Sequence, residues 1–256
     1  MNTYFTEIIT GLLLPFAGTA LGAAAVFMLN KNTGKKTNSI LSGFAAGIMT
    51  AASVWSLLLP AAELATDQGI PEWLPCFAGF SAGVLFIVLT DIVADRIMKR
   101  ESRDGNHFLL AFAVTLHNIP EGMAVGAALA GMTAENPTVT TASAMSLCIG
   151  IAIQNIPEGA VISAPLCAEG KKKTASFILG MLSGAVEPVG AILTLVLTSL
   201  ILPALSYLLA FAAGAMIYTV FCELAPEIRT KESGISGALG ASAGFALMML
   251  LDIAFS

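Results

Sequence analysis

Charge is what this chain lacks most. Asp, Glu, Lys and Arg make up 11% of its 256 residues, while 56% are hydrophobic. A soluble domain carries about 25% charged residues, so a surface made from this composition cannot face water throughout. That excludes an ordinary soluble enzyme and a nucleic-acid module built on a basic face, and it requires an integral membrane protein in contact with the lipid bilayer. Histidine is almost missing, with only His107 and His117, so a catalytic zinc centre built on several imidazoles has little material here. Cys76, Cys148, Cys167 and Cys222 stand singly. They lack the paired spacing of a disulfide framework and read as small apolar residues. No glycine-rich phosphate loop is present, which argues against direct coupling to ATP. The connections between apolar runs are too short to fold alone, so a single transmembrane domain over residues 1–256 is expected.

What is present is a series of apolar runs long enough to cross a bilayer, about 20 residues each. They fall at roughly 5–29, 39–63, 74–95, 108–131, 140–166, 174–201, 203–225 and 235–255. This predicts an all-α membrane protein of eight transmembrane helices. The first run lacks the preceding positive charge of a secretory signal: Glu7 flanks it, and Lys31, Lys35 and Lys36 come after. It is therefore expected to remain as the first span. All twelve Lys and Arg lie in the connections around 30–38, 96–107, 167–173 and 226–234, and the alternate connections have none. Basic loops stay cytoplasmic, which puts both termini on the extracytoplasmic side of a cell membrane, taken here as a bacterial inner membrane. Glycine pairs such as Gly43 with Gly47 and Gly79 with Gly83 offer the small-residue spacing that lets helices approach closely in lipid.

Two stretches concentrate the chemistry. His117-Asn118-Ile119-Pro120-Glu121-Gly122 lies deep in the fourth run, and Gln154-Asn155-Ile156-Pro157-Glu158-Gly159 lies deep in the fifth. On a helix, His117 and Glu121 are four apart and Asn118 and Glu121 three apart, so their donor atoms share one side. Gln154, Asn155 and Glu158 repeat that geometry. A mixture of imidazole, amide and carboxylate donors suits borderline divalent transition metals. Pro120 lacks an N–H and crowds the carbonyl of Leu116, and Pro157 does the same to Ile153, which predicts a local kink and freed carbonyls beside the ligands. One buried Glu, His or Pro in a span has an ordinary packing explanation. Packing does not call for duplicate buried carboxylates in adjacent helices, and two such acids repel in a low dielectric unless a cation sits between them. Glu187, followed by Pro188 in the sixth run, supplies a third buried acid and leaves room for two adjacent metals.

With these motifs the chain resembles the ZIP (Zrt/Irt-like) divalent metal transporters over its whole length. It is most similar to the GufA-like bacterial branch, whose fifth helix also carries Gln where other members have His. The resemblance implies a binuclear site at mid-membrane between helices four, five and six. One metal would be held by His117, Glu121, Gln154 and Glu158, and the other by Asn118, Glu121, Asn155, Glu158 and Glu187. It also implies a second-helix contribution, for which Met49 is the candidate; from its residue type alone, Met49 reads first as packing. Glu63 at the outer end of the second helix and Glu223 at the inner end of the seventh become waypoints of the transport path, with solvated capping as the alternative. Asp91 and Asp95 sit near Arg96, where charge neutralisation is the simpler reading, and Asp252 is ambiguous between the two roles. The connection between the third and fourth helices has only His107, so a histidine-rich metal-sensing loop is not expected. Gln154 in place of an imidazole makes the site harder and less thiophilic, which is compatible with zinc and leaves Fe²⁺, Mn²⁺ and Cd²⁺ open.

The function expected is uptake of divalent metal into the cytoplasm, zinc foremost. The metal is cargo, not a resident cofactor, and no enzymatic activity is expected. The resemblance further implies that spans one, four, five and six slide as a unit against spans two, three, seven and eight. The alternatives are a metal-selective channel and an intramembrane metalloenzyme. Partners are the divalent ions and the bilayer, with a homodimer left open and no nucleic acid.

Overall fold

The computed structural model describes residues 4–28, 35–100, 107–134, 139–168, 170–197, 204–228 and 235–255; the side chains of some residues inside these ranges, His117 among them, lie outside the description. Among the described residues the chain is helical, with no strand. In hydrocarbon no water is available for backbone N–H and C=O groups, and a helix satisfies them within itself. We number the helices α1 (Phe5–Ala24), α2 (Lys35–Ala52), α3 (Leu59–Asp67), α4 (Trp73–Arg100), α5 (His107–Thr133), α6 (Thr141–Ala168), α7 (Lys173–Ser183), α8 (Val186–Val196), α9 (Leu205–Thr219), α10 (Ala225–Ile228) and α11 (Ser236–Phe255).

Among the described residues, seven stretches are long and apolar enough to cross a membrane: Phe5–Phe27, Ser39–Asp67, Trp73–Val93, Thr141–Ala164, Lys173–Val196, Leu205–Leu224 and Ser236–Ala254. They match seven of the eight expected runs. The eighth, 108–131, coincides with α5, a helix of 27 residues whose first half has side chains largely outside the description.

The helices α5 and α6 run without interruption through Pro120 and Pro157. Irregular backbone occurs in other spans. The second span passes through a π-helical segment, Ser53–Leu58, where the Leu59 N–H reaches back five residues to the Val54 carbonyl. The seventh has another at Val220–Leu224, with the Ala225 N–H reaching the Val220 carbonyl. Pro60 and Pro226 follow at the next position in each case. A proline ring crowds the preceding turn, and widening that turn by one residue relieves it. The sixth span, expected as one run, is divided at Gly184 and Ala185. There the bonds from Gly184 to Met181, Ala185 to Leu182 and Glu187 to Gly184 close tighter three-residue turns. Glu187 consequently sits in the first turn of α8, where the partial positive charge of a helix N-terminus favours a carboxylate.

The helices group by how they pack. In one bundle α1 lies along α6, and α5 lies along α8, with α7 against α1 and α6; in the other, α2 lies along α11 and α4 along α9. The bundles meet where α5 faces α9 and α4, and where α6 faces α2 and α11. Glycine explains the close pairs. A side chain at Gly18 or Gly22 would overlap the α6 backbone at Ala152 or Ile156, one at Gly47 would overlap α11 at Ala241, and one at Gly83 would overlap α9 at Phe211. The predicted small-residue packing is thus present at Gly43, Gly47, Gly79, Gly83, Gly214 and Gly240, whereas Gly190 makes only ordinary contacts.

Candidate metal centre

Both motif glycines have a steric purpose. A Cβ at Gly122 would strike the backbone of Glu187, and one at Gly159 would strike the backbone of Thr19. The repeated glycine therefore brings α8 against α5 and α1 against α6 at the depth of the motif carboxylates. With the backbones that close, short side chains from four helices reach one another.

Glu121 is buried on α5, and one of its oxygens, Oε1, accepts a 2.7 Å hydrogen bond from Gln154 Nε2 on α6. Glu187 is 1% exposed and is ringed by donors. Asn155 Nδ2 donates to its Oε2 at 2.8 Å, while Asn118 Nδ2 and Thr19 Oγ1 each donate to its Oε1 at 3.2 Å. The same two amides also donate to main-chain carbonyls, Asn118 to Ser183 at 3.2 Å and Asn155 to Pro15 at 3.3 Å. Glu158 is only part-buried. Its carboxylate interacts electrostatically with Glu121, Glu187 and Glu223, and Glu121 in turn interacts with Glu187.

The acceptor side of this group is incomplete. Among the described residues, Asn118 Oδ1, Glu121 Oε2, Gln154 Oε1 and Asn155 Oδ1 are buried without a hydrogen-bond partner. Each buried acceptor left bare costs roughly 1–3 kcal/mol, so four in one cluster is a large standing penalty in the absence of something positive. No Lys or Arg occurs anywhere within α1, α5, α6 or α8, so the helices that carry the acids carry no permanently charged cation. Among the described residues no three His, Cys, Asp or Glu side chains converge closely enough to hold an ion; the amides are the donors that enlarge the set. Chemically, the described groups form an oxygen-rich cluster of carboxyl and amide donors suited to a divalent cation, and an imidazole would make such a set more favourable to zinc.

The other expected residues fall as follows. His117 is on α5, with its side chain outside the described residues. Met49 is buried on α2 within the apolar core, and its carbonyl accepts from Ser53 Oγ at 2.7 Å. Glu63 lines a cavity of about 310 Å³ together with Trp55, Ser56, Ser143, Leu147 and Asp252. Asp252 accepts from Ser56 Oγ at 2.6 Å and Ser146 Oγ at 3.4 Å. Glu223 lies on the second π-helical segment. Asp91 faces Tyr218 rather than only the nearby arginine, and the side chain of Asp95 is outside the described residues. The four cysteines are free. Sequence reasoning did not single out Thr19: a threonine in an apolar span carries no motif, and only the tertiary contact reveals it.

Comparison with known proteins agrees with this chemistry. The family model described as ZIP zinc transporter matches residues 95–252. The chain is 34% identical to the zinc transporter GufA of Myxococcus xanthus, over 93% of this chain and 95% of that protein. It is 32% identical to zinc transporter ZIP11 of Xenopus tropicalis, over 96% of each. To the zinc transporter ZIPB of Bordetella bronchiseptica it is 33% identical, over 93% of this chain and 78% of the other. By motif, by whole-length similarity and by the match of the family model, the chain belongs to the ZIP zinc transporter family, in its GufA-like branch.

Proposed function

We propose that this protein is a carrier that moves divalent transition metal, zinc foremost, into the cytoplasm across a bacterial inner membrane. The observation that carries this reading is the set of four buried acceptor oxygens without donors among the described residues, on Asn118, Glu121, Gln154 and Asn155, beside three carboxylates and no Lys or Arg. A divalent cation supplies the positive charge that these groups lack. We assign one ion to His117, Glu121, Gln154 and Glu158, with Met49 as a soft neighbour, and a second to Asn118, Glu121, Asn155, Glu158 and Glu187. Eight spans with both termini outside follow from the basic loops and from the length of α5.

The path has two arms. The cavity holding Glu63 and Asp252 is the outer vestibule. Its floor includes Ala128 and Leu147, each seven residues from Glu121 and Gln154 respectively, or about 10 Å along a helix. Buried Val125 and Ile151 lie between cavity and site on those same helices, so the vestibule ends in an apolar seal. Towards the other end, Glu158 keeps partial exposure and Glu223 is in electrostatic reach of it, which makes Glu223 the exit waypoint.

Alternating access by sliding of the α1/α5/α6/α7/α8 bundle fits the packing. Among the described glycines, every one whose added Cβ would overlap a neighbouring helix backbone faces a helix of its own bundle, and Gly150 alone faces the other, where it meets the flexible side chain of Met248. Interlocked backbones move together, whereas an interface of side chains can slip. Uptake of Zn²⁺ into liposomes containing the purified protein tests the reading. Saturable, temperature-sensitive flux, with competition by Cd²⁺, Fe²⁺ and Mn²⁺, is expected of a carrier; large ionic currents would replace it with a channel.

A further inference from the structure

The two motif amides that donate to Glu187, Asn118 and Asn155, do not hold it by themselves. Its remaining donor comes from the first span, which contributes no residue to either motif. Thr19 is fully buried, and its hydroxyl lies 3.2 Å from Glu187 Oε1 and 3.5 Å from the Pro15 carbonyl. A hydroxyl has one proton, and the shorter contact to a charged acceptor is the stronger of the two. The backbone around Thr19 is clamped: its carbonyl presses on Gly159, and its side chain presses on Gly184. The hydroxyl is therefore delivered to Glu187 by two glycine contacts and not by a free rotamer.

Fixing Glu187 has a consequence for the neighbouring amides. Both carboxyl oxygens of Glu187 act as acceptors in these contacts, so Asn118 and Asn155 face it with their NH₂ groups. Their carbonyl oxygens are thereby turned away from Glu187, and these are two of the four acceptors without partners. The Pro15 carbonyl secures Asn155 in the same sense by accepting from its NH₂.

We propose that Thr19, with the Pro15 carbonyl of the same helix, is a positioning residue of the metal centre: it anchors Glu187, and Glu187 sets which edge of Asn118 and Asn155 is offered to the cation. The proposal rests on the reading above that these side chains hold the cargo. Its consequence is that metal affinity depends on a first-span hydroxyl that touches no metal.

The test uses Zn²⁺ alone, titrated calorimetrically into the full-length purified protein, together with KM and maximal rate of uptake in liposomes. Thr19→Val keeps the shape and removes the hydroxyl; binding and KM should weaken about tenfold, the equivalent of one hydrogen bond to a charged group, with the maximal rate largely kept. Thr19→Ser should restore both. In a Glu187→Ala background, adding Thr19→Val should change nothing further, because the partner of the hydroxyl is already gone. Wild-type affinity in Thr19→Val, failure of Thr19→Ser to rescue, or independent addition of the two substitutions overturns the proposal while leaving zinc transport in place. Absence of Zn²⁺ binding and uptake in the wild type overturns both.

Discussion

Glu121 has one oxygen engaged by Gln154 at 2.7 Å and the other without a donor. That asymmetry defines what single substitutions should do. Glu121→Ala and Glu158→Ala remove carboxyl groups from a cluster that has no Lys or Arg to be left unpaired, so the protein should still insert and fold while zinc uptake drops to background. Lys172→Ala, in an exposed connection, should leave uptake unchanged. Normal uptake by both acid variants would sink the site assignment. Gln154→His exchanges an amide for an imidazole, a softer ligand. The preference order in a competition assay should move towards Zn²⁺ and Cd²⁺ and away from Mn²⁺; an unaltered order would mean that Gln154 does not touch the ion.

Helix elements owe their positions to glycine. Gly18 lies where a methyl group would overlap the Ala152 backbone, whereas Gly150 faces the thioether of Met248. Backbone cannot retreat but a methionine side chain can change rotamer. Gly18→Ala should therefore cost about 1–3 kcal/mol of stability, seen as a lower melting temperature in detergent, and Gly150→Ala should cost much less. Equal losses would show that the two contacts do not differ in kind. The π-helical segments and the division at Gly184 and Ala185 belong to the same scale. Each leaves an acid beside or within it: Glu63 follows the first, Glu223 lies in the second, and Glu187 follows the division.

At the scale of the whole molecule the protein is two glycine-interlocked bundles with the polar centre carried by one of them. A thiol pair across the bundles is therefore expected to stop transport. With the native cysteines replaced, Gly150→Cys with Met248→Cys, joined by a short bifunctional thiol reagent, should abolish zinc uptake until reduced. Phe27→Cys with Phe177→Cys is the control, since those rings lie 5.4 Å apart within one bundle and bridging them should be tolerated. Full transport by the bridged 150–248 pair would rule out sliding between the bundles.

The sequence by itself determined that this chain belongs in a membrane and which of its polar residues lie buried together there. Scarce charge and apolar runs of spanning length leave no other solvent, and two copies of Asn-Ile-Pro-Glu-Gly in adjacent runs identify the polar centre because buried carboxylates have no packing rationale. Asn118, Glu121, Gln154 and Asn155 were legible for that reason, and Glu187 as a third acid within an apolar run. The tertiary structure alone decided that the motif prolines leave α5 and α6 continuous, that the sixth span divides before Glu187, and that Thr19 donates to that acid. Those features depend on which backbones touch, through Gly122, Gly159 and Gly184, and contact between distant segments leaves no periodic trace along a single chain.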